Sequence, residues 1–149
     1  PAGSTLTDVG AADVLVAHDS VWVSNSGGSS VQRFHPTTFE EGPLDQLTVG
    51  RAPSGLAADR DAVWVAISGE DVVARIDPSA GSYVTIPVGD GPEDVAIGAD
   101  SVWVANRLDG TVSRVDPQTN EVVETIEVGN APSGLAFADG RLWLTVQAP

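Results

Sequence analysis

The sequence predicts an all-β fold, a β-propeller of four-stranded antiparallel blades, on three observations. Tryptophan recurs at Trp22, Trp64, Trp103 and Trp143, spaced 42, 39 and 40 residues apart, which is the period of propeller blades. Turn residues hold the same phase: Val49-Gly50, Val88-Gly89 and Val128-Gly129, then Pro53, Pro92 and Pro132, then His35-Pro36, Asp77-Pro78 and Asp116-Pro117. Between the turns lie only short β-branched or aromatic runs. The nearest thing to a helical stretch, Pro92 to Ala99, contains Gly98 and repeats the phase of Pro53 to Asp59, so it reads as strand.

Taken in order, residues 1 to 8 are small and polar with Leu6 as the strong apolar anchor, and read as a linker running into the last strand of an earlier blade. Val9-Gly10 then matches Val49-Gly50. Units follow near residues 13–50, 53–88 and 92–128, with a half unit over 132–146. In the second unit the strands are expected near Gly55 to Ala58, Ala62 to Ile67, Val72 to Ile76 and Tyr83 to Val88. Asp109-Gly110 is a hairpin turn signal, and Ser68-Gly69 and Ser26-Gly27-Gly28 stand at its place in the other units. The second strands, Val63-Trp64-Val65-Ala66 and Val102-Trp103-Val104-Ala105, are apolar on both faces, as a strand between two neighbouring blades requires. Val112-Ser113-Arg114-Val115-Asp116 mixes polar and apolar residues, which places the third strand nearer the wet rim.

Composition narrows the function. Of the charged residues, 21 are acidic and 7 basic, all seven arginine, giving a net charge of −14. Such a field repels nucleic acid and anionic lipid. No apolar run approaches the roughly 18 residues that span a bilayer. With no cysteine, disulfides and thiolate metal sites are absent. The start at Pro1-Ala2-Gly3 lacks an initiator methionine and a signal-peptide pattern, and suggests part of a longer polypeptide.

About three and a half blades make an arc. Two apolar blade faces would be left open, each beyond the few hundred Å² that a monomer tolerates. Further blades of a longer chain could cover them. Alternatively, two arcs could close about a twofold axis as a homodimer of about eight blades, the N-terminal strand of one completing the half unit of the other.

The motifs Val-Gly-x-x-Pro-Ser-Gly-Leu-Ala at 49–57 and 128–136, Val-Trp-Val-Ala at 63–66 and 102–105, and Val-x-Arg-x-Asp-Pro at 73–78 and 112–117 resemble the YVTN-type repeat of bacterial β-propellers. That family includes surface-layer and secreted propellers, and its relatives include the streptogramin-inactivating lyase of virginiamycin B type. The chain is also similar to propeller modules that sit between a regulatory and a solute-binding domain in actinobacterial multidomain proteins. Three departures from the pattern stand out. His35 replaces the Asp of the Asp-Pro turn, Asp13 is expected to replace the proline of the opening turn, and Glu93-Asp94 replaces Ser-Gly.

Candidate chemistry is sparse. A lyase-like activity would need a histidine acid or base with a metal in the channel, but His18 falls in the turn after the innermost strand and His35 at an outer turn. Asp90, Glu93 and Asp94 open the innermost strand of the third unit, at the channel mouth. They are candidates for holding a hard cation or a cationic ligand, against the plainer reading of a solvated acidic turn. Arg75 with Asp77 and Arg114 with Asp116 recur in phase with Arg33 and His35, which suits a structural brace to the turn or the next blade. Arg107 and Leu108 break the symmetry and are candidates for a partner contact. The tryptophans, one per blade, are expected in the core. No phosphate-binding, nucleophile-elbow, zinc or dinucleotide motif is present, so no cofactor is expected.

The expected function is a non-catalytic propeller module for protein interaction or ligand sensing within a larger bacterial protein. A fragment of a lyase-like propeller enzyme and a cell-surface structural repeat are the alternatives.

Overall fold

A computed structural model describes residues 9–40 and 46–148, so the expected strand in residues 1–8 lies outside the described residues. Fourteen strands follow one another: β1 (Ala11–Ala17), β2 (Ser20–Asn25), β3 (Ser30–Phe34), β4 (Gln46–Thr48), β5 (Pro53–Ala58), β6 (Val63–Ile67), β7 (Val72–Ile76), β8 (Tyr83–Pro87), β9 (Pro92–Gly98), β10 (Ser101–Asn106), β11 (Thr111–Asp116), β12 (Glu121–Glu127), β13 (Gly134–Ala138) and β14 (Arg141–Thr145). They form three four-stranded antiparallel meanders in simple order, β1 to β4, β5 to β8 and β9 to β12, plus the two-stranded β13–β14. No helix occurs among the described residues. This is an all-β arc of about three and a half propeller blades. Inner strands of successive blades pack on one another, β1 on β5, β5 on β9 and β9 on β13, while the outer strands β8 and β12 barely meet.

Trp22, Trp64 and Trp103 each point from the second strand of their blade toward the next blade. Trp22 packs with Leu56, Val63 and Val65 of the second blade, and Trp64 packs with Val95, Val102 and Val104 of the third. Both are buried; Trp103, which faces only the two-stranded half-blade, is half-buried, and Trp143 is 56% exposed. The expectation that all four tryptophans are core is thus corrected for Trp143, which no further blade covers among the described residues. The in-phase arginines explain themselves by register. Arg33, Arg75 and Arg114 pair across the sheet with Trp22, Trp64 and Trp103, and each guanidinium carbon lies over its ring, 5.4–5.7 Å from the centroid.

Burial and register bear on two further expectations. The third strand is partly wet, as expected: Arg114 and Asp116 of β11 and Val72 and Arg75 of β7 are half-buried, while Val112, Ser113 and Val115 are buried and the fourth strand is the most exposed. Four strands leave only the outermost at the rim. Asp13, in turn, does not stand at the proline of the opening turn. The residue opposite Asn25 is Ala11, as Pro92 is opposite Asn106 and Pro53 opposite Ile67, so Asp13 matches Asp94 two blades on.

That match belongs to an alternation. The first and third blades carry Asp13, Asn25, Ser30 and Gln32, or Asp94, Asn106, Thr111 and Ser113, where the second carries Gly55, Ile67, Val72 and Ala74. In each polar blade the buried asparagine donates through Nδ2 to the two partners across the hairpin: Ser30 Oγ and Gln32 Oε1 at 3.4 and 3.0 Å, or Thr111 Oγ1 and Ser113 Oγ at 3.0 and 2.8 Å. The half-blade has Gly134 and Val146 at the matching places and so sides with the second blade. The aspartates latch blades together, because the inner edge of each innermost strand has no strand beside it and its N–H groups need acceptors. Asp13 Oδ2 accepts from Leu56 N at 2.8 Å, and Asp94 Oδ2 accepts from Leu135 N at 2.7 Å.

Candidate functional site

At one end of the arc, the connections between blades lie beside the second hairpins. Leu108 N donates to Asp90 O at 3.1 Å and Arg107 N to Gly91 O at 2.9 Å, which brings the acidic candidates Asp90, Glu93 and Asp94 and the partner-contact candidates Arg107 and Leu108 into one neighbourhood. Their side chains are largely occupied. Asp94 accepts from Val95 N at 2.8 Å as well as from Leu135 N. Burial raises its pKa above the ordinary 3.8 against the pull of those two donors, and the nearby charges of Asp13 and Glu93 add to the rise. Glu93 pairs with Arg107 at 3.2 Å on a half-exposed surface, where such a pair contributes about 0–1 kcal/mol. Leu108 covers Gly91, where a Cβ would come within 2.6 Å of Leu108 Cγ. Arg107 and Leu108 also line a shallow cavity of about 460 Å³ beside the half-blade. Among the described residues, no three His, Asp or Glu side chains converge to hold a metal ion.

The histidines stand apart from that mouth. His18 lies in the β1–β2 hairpin with φ of 50°. His35 takes over the capping role of the Asp it replaces: its Nδ1 lies 3.4 Å from Thr37 N and Thr38 N, where Asp77 Oδ1 accepts from Ser79 N and Ala80 N at 2.8 and 3.0 Å.

The opposite end holds a feature that the motifs did not mark. Between the second and third blades opens a cleft of about 620 Å³, lined by Asp59, Arg60, Asp61, Arg75, Asp100 and Gln118 among others. Its distinctive member is Arg75. Arg114 Nε donates to Ser101 Oγ at 2.8 Å, but the matching residue of the second blade is Ala62, so Arg75 Nε is buried with no hydrogen-bond partner. Arg33 closes the corresponding gap between the first two blades by donating from Nη1 to Pro78 O at 2.6 Å; no such bond joins Arg75 to Pro117, and the gap stays open. Asp59 does not compensate, since its Oδ1 accepts from Asp61 N and Ala62 N and its Oδ2 from Trp64 Nε1, all at 2.8 Å. The sequence did hold the signal: Ala62 interrupts the series Ser20 and Ser101.

No protein-family model matches the chain, and no curated protein matches it. Solved structures do. The chain is similar to hydrazine synthase of Kuenenia stuttgartiensis, at 21% identity and a TM-score of 0.78 over 89% of this chain and 41% of that one. It is similar to virginiamycin B lyase from Staphylococcus aureus, at 16% identity and a TM-score of 0.70 over 90% of this chain and 47% of that one. The computationally designed Ika4 protein matches at 12% identity and a TM-score of 0.77, over 97% of this chain and 95% of that one. The chain spans less than half the length of the first two proteins. At these identities the likeness establishes the fold: the chain is a β-propeller module.

Proposed function

We propose that this module, of the YVTN type that its motifs resemble, binds its ligand without transforming it, taking a small molecule with a carboxylate or phosphate in the cleft between the second and third blades. The observation that carries the reading is the Arg75 Nε, buried at the cleft without a partner. A buried charged donor left unpaired costs more than a neutral one, and an anionic ligand would relieve that cost through a charge-assisted bond. The volume, about 620 Å³, suits a small molecule. Exposed Asp61 and Asp100 on the rim disfavour polyanions and favour a ligand that also carries a cationic group.

The test is a titration of the arginine Nε–H resonances with acetate, inorganic phosphate and glycine. Saturable movement of the Arg75 signal, abolished in Ala62→Ser, is the expected result, because the serine supplies the acceptor that Arg114 already has. Shifts spread equally over Arg33, Arg75 and Arg114 would mean general ionic screening and would end the proposal.

The second reading, a fragment of a lyase-like enzyme, is favoured by the enzymes among the similar structures. Incubation of the chain with a streptogramin B and a divalent cation, followed by liquid chromatography with fragment-ion mass spectrometry to separate an opened isomer from the starting material, checks it; turnover would replace the binding reading.

A further inference from the structure

The two open faces of the arc are built to fit each other. The internal junction from the second to the third blade sets the pattern: Ala57, Trp64 and Ala66 on one side pack against Val95, Ile97 and Val102 on the other. This junction is apolar and lacks the aspartate latch, since Gly55 stands where Asp13 and Asp94 stand. By register and spacing, the outer face of the half-blade presents Ala136, Trp143 and Thr145 at the places of the first three. The outer face of the first blade presents Val14, Val16 and Val21 at the places of the second three. Burial confirms that the internal faces are covered and the end faces are not. Trp64 is 0% exposed against 56% for Trp143, and Val95 is 4% exposed against 63% for Val14 and 73% for Val16.

We infer that the occupant of each end face is a second copy of this chain, joined head to tail about a twofold axis along the channel. The alternation of blade types selects this partner. A half-blade of the apolar kind must be followed by a polar blade, and the first blade is polar, so the joint between copies repeats the joint already present between the second and third blades. An even blade number follows, with an aspartate at every second inner strand of the ring. The joint between copies would form through the inner strands, which carry the closest internal contact, β5 and β6 on β9; Val73, Ile86 and Val115, which extend the internal joint outward, have no counterpart in the two-stranded half-blade. A cyclic pair of this kind has two identical joints, and it covers the exposed Val14, Val16 and Trp143, apolar surface of the kind a monomer does not sustain in water.

Light scattering across a dilution series, with paired charge variants, tests the inference. The chain should have twice its own 15.3 kDa mass and dissociate on dilution. Val16→Glu and Trp143→Arg each change an exposed side chain, so each should fold, as the circular dichroism of the parent will show, and each alone should be a monomer. Mixing the two should restore a dimer, because one of its joints is then Glu against Arg and the other is unaltered. A 15.3 kDa parent at every concentration, open-ended growth in mass, or a dimer that survives either single substitution would overturn it.

Discussion

Replacing Trp64 by alanine probes the packing between blades at its most enclosed point. The indole is fully buried, packs with Val95, Val102 and Val104, donates to Asp59 Oδ2 at 2.8 Å and lies under the Arg75 guanidinium. Truncating a buried tryptophan costs about 3–5 kcal/mol, and losing the cation–π contact adds about 0.5–1 kcal/mol. Asp59 keeps its two backbone donors, so no orphaned carboxylate adds to the loss. The expected total, about 3.5–6 kcal/mol, is a large part of the roughly 5–15 kcal/mol that holds a domain together. Trp143 occupies the same place in the half-blade but is mostly exposed, so in dilute solution Trp143→Ala should cost about 1 kcal/mol or less. Urea denaturation followed by circular dichroism measures both. Equal losses, or a Trp64→Ala loss of about 1 kcal/mol, would refute the reasoning that burial between blades is what stabilises each sheet.

Three further outcomes follow from particular contacts. Gly55→Ala would put a Cβ 2.7 Å from Asp94 Cα and 2.8 Å from Glu93 O, both on the backbone of the next blade. Gly134→Ala meets only Thr145 Oγ1 at 2.7 Å, which a rotamer change relieves. Thermal unfolding should show a loss of about 1–3 kcal/mol for the first and less for the second. The Asp94 carboxyl should titrate above the ordinary 3.8 because burial opposes its charge. With the folded-state pKa above the unfolded one, the folded chain binds more protons between the two values, so this group's contribution to stability declines as pH rises through that window. Carboxyl carbon NMR gives the midpoint, and a value at or below 3.8 would contradict the burial account. His35→Asp should shorten the turn's long hydrogen bonds to those seen at Asp77 and raise stability by about 0.5–1 kcal/mol, read as a higher melting temperature; a lower one would mean that the imidazole contributes something beyond the cap.

Much of the fold was legible in the sequence because tryptophan, proline and glycine have few interchangeable substitutes at their positions. A blade needs a large ring facing its neighbour, and its turns need fixed backbone angles. Val72 to Ile76 matches the observed β7 to the residue, and the other strands of that blade differ by one or two residues at an end. The mixed polarity of β11 reads correctly as partly wet at Arg114 and Asp116, but Ser113 is buried as a hydrogen-bond acceptor for Asn106, and a hydroxyl's partner is not visible along one strand. Asp13 was misaligned because Ala11 carries no turn signal of its own. The two-blade alternation was present in Asp13 and Asp94 and in Asn25 and Asn106, but a search for what recurs every 40 residues hides what recurs every second blade. The candidate site at Arg75 was missed for the same reason. Its arginine keeps the repeat, and only the loss of a serine hydroxyl at Ala62, across the sheet, sets it apart.

Small-angle X-ray scattering of the concentrated chain tests the central claim most directly, that radially stacked blades alternate in kind and so close on a second copy. The account predicts the scattering of a round disc pierced by a channel, with a forward intensity twice that of one chain. An open crescent with the forward intensity of one chain, or the profile of a two-layer sandwich, would contradict it.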